Sequence, residues 1–335
     1  MRVAPRLTTL PVTTTHTLTG SAPVDALPAT WGDSVPAPPS ARTRDATLTV
    51  WANHATRTLG PCMESVRGRC DRLITSSYLE GHPHLAAGDV GVLEPRDVSG
   101  AAYVEWLLEQ TAEHGATHLL TWRRHLGRIC RAADRFAAQG VQVVAPAVDP
   151  DVLEDKWEAT RTAERLGVPV ALTFLVWTQE EADAARAAIT AAGHRVCAKP
   201  RTGVGAIGFV VLEPGVPWTP DGRDWLVMEL MPGDEWSVDV LADRGAVVDF
   251  LVRHKQGAGR HLSQDAEHLA VVLPLIRHFR MNAICNVQLR RRTDGALALL
   301  EINARPAAGV GQGIAVGIDL YGGLVDRMAR GEYRP

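Results

Sequence analysis

Residues 286–305 read NVQLRRRTDGALALLEINAR, and this stretch decides the fold of the second half of the chain. Two apolar runs flank the pair Asp294-Gly295 at its centre. An Asp-Gly pair between alternating strands predicts a β-hairpin with a two-residue type I′ turn. In such a turn Thr293 pairs with Ala296, and this pairing sets the register of both strands.

The predicted register gathers polar side chains on one face of the hairpin. It places Gln288 opposite Glu301, and Asn286 opposite Asn303. Because side chains alternate along a strand, these four groups share a face, with opposed Cβ atoms about 5 Å apart. The other face carries the apolar residues of the core, which are Val287, Leu289, Leu300 and Ile302.

The polar face offers ligands for a metal ion. Gln288, Glu301 and Asn303 supply only oxygen ligands. Hard cations such as Mg²⁺ prefer oxygen ligands, and phosphates and water complete their coordination shell. Arg305 follows with the same parity, so it can approach a phosphoryl group. The alternative is a polar, solvated face of an edge hairpin.

A glycine-rich loop, GVGAIG at residues 203–208, satisfies the pattern G-x-G-x-x-G. A dinucleotide site needs a helix that begins in the loop, whereas the β run FVVL follows here. The loop therefore joins two predicted strands, 195–199 and 208–213. Its backbone N–H groups can still bind phosphate, and Lys199 ends the incoming strand within reach. The alternative is a flexible turn beside an exposed lysine.

The rest of the chain divides into three regions. Residues 1–44 are rich in Thr and Pro and predict a flexible tail or arm. Five short apolar runs then alternate with helical patterns, which predicts a parallel α/β sheet. These strands are expected at 47–52, 72–77, 90–93, 118–122 and 141–146, with helices at 101–114 and 125–139. After Pro150, mixed strands and helices predict an α+β region. Its helices are expected at 152–166, 179–192, 263–279 and 314–330, and its further strands at 171–176, 225–230, 236–242 and 246–252.

Composition excludes several classes of protein. The 335 residues are 46% hydrophobic and 22% charged, which excludes a fibrous or wholly disordered chain. The net charge of −3 gives no basic field for nucleic acid, and no apolar run is long enough to span a membrane. Five cysteines without C-x-x-C spacing indicate neither a disulfide framework nor a zinc knuckle, so a cytoplasmic location is expected. Only three of the 35 basic residues are lysines, which are Lys156, Lys199 and Lys255.

In this order the motifs resemble those of the ATP-grasp superfamily. The resemblance covers residues about 147–330. Within the superfamily, this part of the chain is similar to carboxylate–amine ligases and to carbamoyl-phosphate-synthetase-like domains. The motifs that carry it are Asp155-Lys156, Lys199-Pro200 with the glycine loop, Met228-Glu229-Leu230-Met231-Pro232-Gly233-Asp234-Glu235, Lys255, Gln288 and Glu301-Ile302-Asn303-Ala304-Arg305.

The resemblance implies where ATP binds. Lys156 and Lys199 would contact the nucleotide phosphates, and a mobile loop with Gly203, Gly205 and Gly208 would cover them.

It also implies the remaining contacts of the site. The backbone around Glu229 and Met231 would hold adenine, and Glu235 would take the ribose hydroxyls. Lys255 and Arg305 would both act in catalysis, with Lys255 near the γ-phosphate and the acyl phosphate.

The implied metals are two Mg²⁺ ions, with Mn²⁺ as an alternative. Glu301 and Asn303 would bind them, and Gln288 would be the third ligand. Many relatives have a carboxylate in place of Gln288, whereas the carbamoyl-phosphate-synthetase type has glutamine. A neutral ligand at this position weakens one metal site or makes it depend more on ATP.

The implied fold is a parallel-sheet α/β domain at 45–147 followed by an ATP-grasp domain at 148–335. The latter would contain a glycine-loop subdomain at about 171–230 and a metal-hairpin subdomain at about 231–335, both α+β. The implied reaction is ATP-dependent joining of a small carboxylate to an amine through an acyl phosphate. A homodimer is compatible with the family. Two alternatives stay open, a bicarbonate-using carboxylase or carbamoyl-type enzyme and a nucleotide-binding regulatory module without turnover.

Overall fold

Five short parallel strands form the first sheet. The computed structural model describes residues 47–54, 57–146, 148–203, 207–256 and 259–333, so the predicted tail at 1–44 lies outside the described residues. The strands are β1 (Thr49–Ala52), β2 (Arg72–Ser77), β3 (Val90–Leu93), β4 (His118–Leu120) and β5 (Gln142–Val144). Their order is β3-β2-β1-β4-β5, and every neighbouring pair is parallel, as the βα alternation predicted.

Helices cover both faces of this sheet and continue past it. They are α1 (Gly60–Arg67), α2 (Pro83–Ala87), α3 (Gly100–Glu113), α4 (Leu126–Arg131), α5 (Ala133–Ala137), α6 (Pro150–Glu154) and α7 (Lys156–Arg165). The helix predicted at 125–139 is two helices separated at Ala132. The helix predicted at 152–166 is also divided, because Asp155 accepts hydrogen bonds from the amides of Trp157 and Glu158 and so begins α7 as its N-cap.

The second sheet has four antiparallel strands. They are β6 (Thr173–Val176), β7 (Val196–Pro200), β8 (Val210–Leu212) and β9 (Trp225–Glu229), in the order β6-β9-β7-β8. One helix, α8 (Gln179–Ala191), buries Ala182, Ala185 and Ile189 against it. A capping box between Thr178 and Glu181 begins this helix. The predicted strand–loop–strand arrangement around residues 203–208 is confirmed by β7 and β8.

The third sheet also has five strands, all antiparallel. They are β10 (Glu235–Asp243), β11 (Ala246–Gln256), β12 (Gly259–Ser263), β13 (Ala283–Arg291) and β14 (Leu297–Asn303), in the order β12-β11-β10-β13-β14. Helix α9 (Ala266–His278) buries Leu269, Val272 and Ile276 in the core beneath the sheet. The sequence did not predict β12, a short edge strand. The predicted fold class, parallel α/β followed by α+β, is confirmed, and the domain boundaries stay predictions.

The hairpin of β13 and β14 has the predicted pairing at its functional end. Asn286 pairs with Asn303, and Gln288 with Glu301. The turn prediction is wrong, because the loop holds three residues, with the Arg292 amide donating to the Ala296 carbonyl at 2.9 Å. A type I′ turn needs positive φ at both central residues, and here only Gly295 has it, at +86°.

A β-bulge restores the register that the longer loop changes. Leu289 pairs with Leu299, one residue out of step with the pair of Gln288 and Glu301. The extra residue is Leu300, which leaves the core under the third sheet, packs partly buried against a smaller apolar cluster that contains Met231 and Ala298, and lines the cavity described below. Leu299 takes the core position instead and is 5% exposed. The prediction that Leu300 shares one core face with Val287 and Ile302 is therefore wrong, although Leu300 packs against a different apolar cluster.

A shared hydrophobic core joins the first and third sheets. It contains Val50 of β1, Leu251 of β11 and Leu324 of helix α10 (Leu320–Ala329). The Tyr333 hydroxyl accepts a hydrogen bond from the Ala145 amide at 3.2 Å, which holds the end of the described chain against the first sheet. Among the helices of the described segments, none has the length and apolar character needed to cross a bilayer.

Candidate active site

A cavity of about 440 Å³ lies between the second and third sheets. Its walls come from the β7–β8 loop, the end of β9, the polar face of the β13–β14 hairpin and the residues after β14. Most of the predicted site residues line it, namely Lys156, Lys199, Gly203, Glu229, Met231, Glu235, Gln288, Glu301, Asn303 and Arg305. The fold therefore brings together residues that lie up to 149 positions apart (305 − 156).

Three of the predicted residues stand apart from this group. Gly205 lies outside the described residues. Gly208 packs against Pro200 where the loop rejoins β8, and it does not line the cavity. Lys255 is exposed near the end of β11, opposite Arg260 on the edge strand, and it also does not line the cavity. Contacts of these residues with nucleotide stay predictions.

Two lysines form a cationic end of the cavity. Lys156 begins α7, and its Nζ donates to the Gly203 carbonyl at 2.6 Å. Lys199 is on β7, and its Nζ donates to the carbonyl of the bulged Leu300 at 3.3 Å. Burial lowers the pKa of Lys199 to about 8, with the charge of Lys156 adding to the shift and Glu301 opposing it. Both ammonium groups are thus held where an anionic ligand can replace the solvent they have lost.

We expect the KM for Mg-ATP to rise with pH above about 8, by at most about tenfold per pH unit. The predicted contact of Lys199 with phosphate needs the charged lysine, so above this pKa the binding of nucleotide would require uptake of a proton. Steady-state kinetics across this range in the wild type and in Lys199→Arg would check this. The arginine stays charged, so its KM should be flat. If the KM of Lys199→Arg rises with pH as the KM of the wild type does, a group other than Lys199 is responsible for the pH dependence.

The polar face of the hairpin carries the predicted metal ligands. Gln288, Glu301 and Asn303 are half-buried and line the cavity. Asn286 is buried beside them, and its Nδ2 donates to Asp239 Oδ1 at 3.0 Å. Carboxylate and amide oxygens on adjacent, directly paired strands fit a hard divalent cation. The donor set therefore suits Mg²⁺.

Arg305 closes the cavity toward the first sheet. Its guanidinium lies over the Trp122 ring, 5.6 Å from the centroid, and Trp122 follows β4. Burial lowers the pKa of Arg305 from its usual value, as does the nearby cation of Arg123, while Glu301 and Glu154 oppose the shift. A cation in this position can neutralise negative charge that develops next to the hairpin.

Another wall of the cavity is formed where β9 leaves the second sheet. The Glu229 side chain is fully buried, accepts from the Leu172 amide at 3.3 Å and pairs with Arg292 Nε at 3.2 Å. Its carboxylate is therefore engaged within the protein, and any contact with adenine would come from the backbone of this segment. Met231 is buried beside it and lines the cavity.

Sequence reasoning missed the ion-pair network below the glycine loop. Arg201 follows Lys199-Pro200, and its guanidinium contacts both oxygens of Asp155, at 2.6 Å and 2.9 Å. It also reaches Asp224 at 3.3 Å, and its backbone carbonyl accepts from the Lys156 amide. The network ties the start of the loop to the start of α7, so it positions Lys156. The N-cap pattern of Asp155 was the available indication.

We expect Arg201→Gln to raise the KM for ATP about tenfold, which corresponds to one charge-assisted hydrogen bond of about 1.5 kcal/mol. The pair is partly exposed, at 24% and 21%, which limits the effect. Arg223→Gln is a matched control, because Arg223 makes a similar but exposed pair with Asp221. Equal KM values for the two variants would show that Arg201 does not position Lys156 for nucleotide binding.

Comparisons with known proteins concern the family and the fold of the chain. The family described as "ATP-grasp in the biosynthetic pathway with Ter operon" matches residues 221–334. A search of curated proteins found no match. Among solved structures, the ADP complex of an N5-carboxyaminoimidazole ribonucleotide synthetase is 16% identical, with a TM-score of 0.59 over 80% of this chain and 74% of that one.

Two further structures have the same fold. The biotin carboxylase domain of the Hydrogenobacter thermophilus 2-oxoglutarate carboxylase, with MgADP, ADP and bicarbonate, is 15% identical, with a TM-score of 0.64 over 85% of this chain and 70% of that one. N5-carboxyaminoimidazole synthetase from Staphylococcus aureus is 13% identical, with a TM-score of 0.64 over 87% and 80%. The chain therefore has the ATP-grasp fold, and the resemblance to the ATP-grasp superfamily that its motifs carry is confirmed.

Proposed function

We propose that the protein is an ATP-dependent carbon–nitrogen ligase that activates a small carboxylate as an acyl phosphate and joins it to an amine, with release of ADP and phosphate. The observation that carries the proposal is a single cavity with lysines at one end and paired oxygen ligands on the hairpin. Lys156 and Lys199 supply the cations, and the paired residues Gln288 and Glu301 line the same cavity. The proposal includes a cytoplasmic location.

Each part of the cavity has a role in this reaction. Lys156 and Lys199 bind the phosphates of ATP, and the loop that begins at Gly203 covers them. The backbone near Met231 holds adenine, and Glu235 holds the ribose. Bound Mg²⁺, at one or two positions, would neutralise phosphate charge.

The metal and the transferred group meet at the hairpin. Glu301, Asn303 and Gln288 would hold Mg²⁺, with Mn²⁺ as an alternative. Arg305 stabilises the negative charge on the phosphoryl group as it passes from ATP to the carboxylate. The acyl phosphate must be protected from water until the amine attacks, and the glycine loop over the cavity serves this purpose.

A second candidate is a bicarbonate-using enzyme. Gln288, the neutral ligand, favours it, and one structure with the same fold is described with bicarbonate. In this reaction bicarbonate takes the place of the carboxylate, and the same groups would stabilise phosphoryl transfer to it. The two candidates differ in the carbon source and not in the nucleotide chemistry.

The test is ADP release from Mg-ATP with pools of carboxylic acids and amines. For a carbon–nitrogen ligase, one acid pool and one amine pool stimulate release together, and mass spectrometry finds an amide. For the bicarbonate enzyme, labelled bicarbonate enters the product and no other acid is needed. No metal-dependent release in any pool, with intact Mg-ATP binding, would contradict both and favour a nucleotide-binding module.

A further inference from the structure

Arg253, on β11, is a buried arginine whose hydrogen-bonding capacity is only partly used. The residue is 8% exposed, and its Nε donates to Asp239 Oδ2 at 2.6 Å. Within the described part of the chain, its Nη2 is buried without a hydrogen-bond partner. Buried donors without acceptors are rare because they lose their hydration without replacement. The unused part of the guanidinium therefore needs an explanation.

Asp239 cannot satisfy the whole guanidinium. An arginine and a carboxylate usually pair through two parallel hydrogen bonds. Here the two oxygens of Asp239 are divided, because Oδ1 accepts from Asn286 Nδ2 at 3.0 Å and Oδ2 accepts from Arg253 Nε. The sharing fixes the plane of the Arg253 side chain and leaves its terminal nitrogen Nη2 without an acceptor.

Arg253 lies in the row of residues that contains the predicted metal ligands. Arg253 pairs with Ser237, Ser237 with Gln288, and Gln288 with Glu301, so the four residues follow one another across four adjacent strands. Directly paired residues point to the same face of a sheet. Since strands lie about 4.8 Å apart, the backbone of Arg253 is about 10 Å from that of Gln288.

The loop after Arg305 packs over Arg253, the residue at one end of this row. Gly309 approaches the guanidinium so closely that a Cβ there would lie 2.6 Å from Arg253 Nη1. The two residues before it, Ala307 and Ala308, line the cavity. The backbone of this short loop thus lies between the Arg253 guanidinium and the cavity beside Arg305.

We propose that Arg253 binds an oxyanion of the acid substrate that is distinct from the carboxylate receiving the phosphoryl group. The substrate class is then a small acid with a second anionic group, either a carboxylate or a phosphate. The unpartnered Nη2 can donate a charge-assisted hydrogen bond to an oxygen of either group. The assignment rests on the proposed ligase function for the reacting carboxylate. Bicarbonate and simple monocarboxylates lack the second group.

The kinetic test compares three acid pools in the ADP-release assay with one amine mixture. The pools are monocarboxylates (acetate, propionate), dicarboxylates (malonate, succinate, glutarate) and phosphorylated acids (phosphoglycolate, 3-phosphoglycerate), and the amine mixture consists of neutral amino-acid amides, so that no carboxylate enters with the amine. We expect stimulation by the second or third pool, and whichever acts identifies the anion. Arg253→Gln should raise the KM of the activating acid about 10- to 100-fold, with the KM of ATP changed less than about twofold. Arg253→Lys should be intermediate.

Two controls separate recognition from folding. Arg244→Gln is matched, because Arg244 lies in the β10–β11 turn and makes an exposed pair with Asp243, so its kinetics should equal those of the wild type. Arg253→Gln leaves Asp239 buried and unpaired, which destabilises the fold. The double variant Asp239→Asn/Arg253→Gln removes both charges and replaces the single variant if that does not fold.

Thermal unfolding with Mg-ADP gives an independent result without turnover. Succinate or inorganic phosphate should raise the Tm of the wild type and not that of the double variant. If the shift depends on Arg253 while no acid pool stimulates ADP release, the ligase proposal fails and the anion site stands. Equal shifts, no shift in the wild type, or full activation by monocarboxylates would overturn the assignment of Arg253, whatever the reaction proves to be.

Discussion

Arg305→Ala should lower kcat for ADP formation by about 10²-fold or more, the loss typical when one electrostatic anchor of a transition state is removed. Arg305 is the cation at the end of the cavity next to the first sheet, and its guanidinium is oriented by the Trp122 ring. Charge on the phosphoryl group develops at this position in the proposed reaction. The KM for ATP should change little, because the proposed function assigns the other phosphates to Lys156 and Lys199.

Single-turnover ADP formation at saturating Mg-ATP is the measurement, since it separates chemistry from product release. Arg123→Ala is a matched control: Arg123 is a neighbouring, exposed cation that does not line the cavity. Its effect on kcat should stay within about threefold, because exposed charges act weakly through solvent. Arg305→Lys should fall between the two. Full activity of Arg305→Ala would move the phosphoryl site away from this end of the cavity.

The polar face of the β13–β14 hairpin shows how far the sequence alone could predict local geometry. Alternation and an Asp-Gly turn placed Gln288 opposite Glu301, and the structure has this pair. The predicted turn was nevertheless wrong, because the loop has three residues and not two. The pairing is still correct because a bulge at Leu300, which was not predicted, shifts the register back by one residue. Bulge positions depend on packing against other strands, which no local pattern reports. The bulge has a consequence for the site, because it turns the Leu300 carbonyl toward Lys199.

Contacts between distant segments of the chain could not be predicted from the sequence. The buried cluster of Asp239, Arg253 and Asn286 joins three strands, and nothing in the spacing of these residues distinguishes them from exposed polar positions. Trp122 was likewise unremarkable until the shared core of the first and third sheets brought it over Arg305. By contrast, the short parallel strands and the glycine-loop hairpin were predictable, because a continuous apolar run or a β run after the glycines has few alternative structures.

Glu301→Gln should have the largest effect, a fall in kcat of about 10³-fold or more, because Lewis-acid stabilisation contributes several kcal/mol and each 1.36 kcal/mol is tenfold in rate. Glu301 is the only acidic residue among the three predicted ligands, and its partner Gln288 is neutral. The substitution keeps the size of the side chain and removes the charge, so the half-saturating concentration of Mg²⁺ should rise together with the loss in rate.

The opposite change, Gln288→Glu, tests the same interaction from the other strand. It places a second carboxylate directly opposite Glu301, with Cβ atoms about 5 Å apart. Two carboxylates repel each other without a cation between them, so bound Mg²⁺ is favoured more strongly and its half-saturating concentration should fall. Titrating ADP release with Mg²⁺ in the wild type and both variants orders the three half-saturation values. If Glu301→Gln and Gln288→Glu leave the Mg²⁺ dependence of the wild type unchanged, the hairpin does not hold the metal.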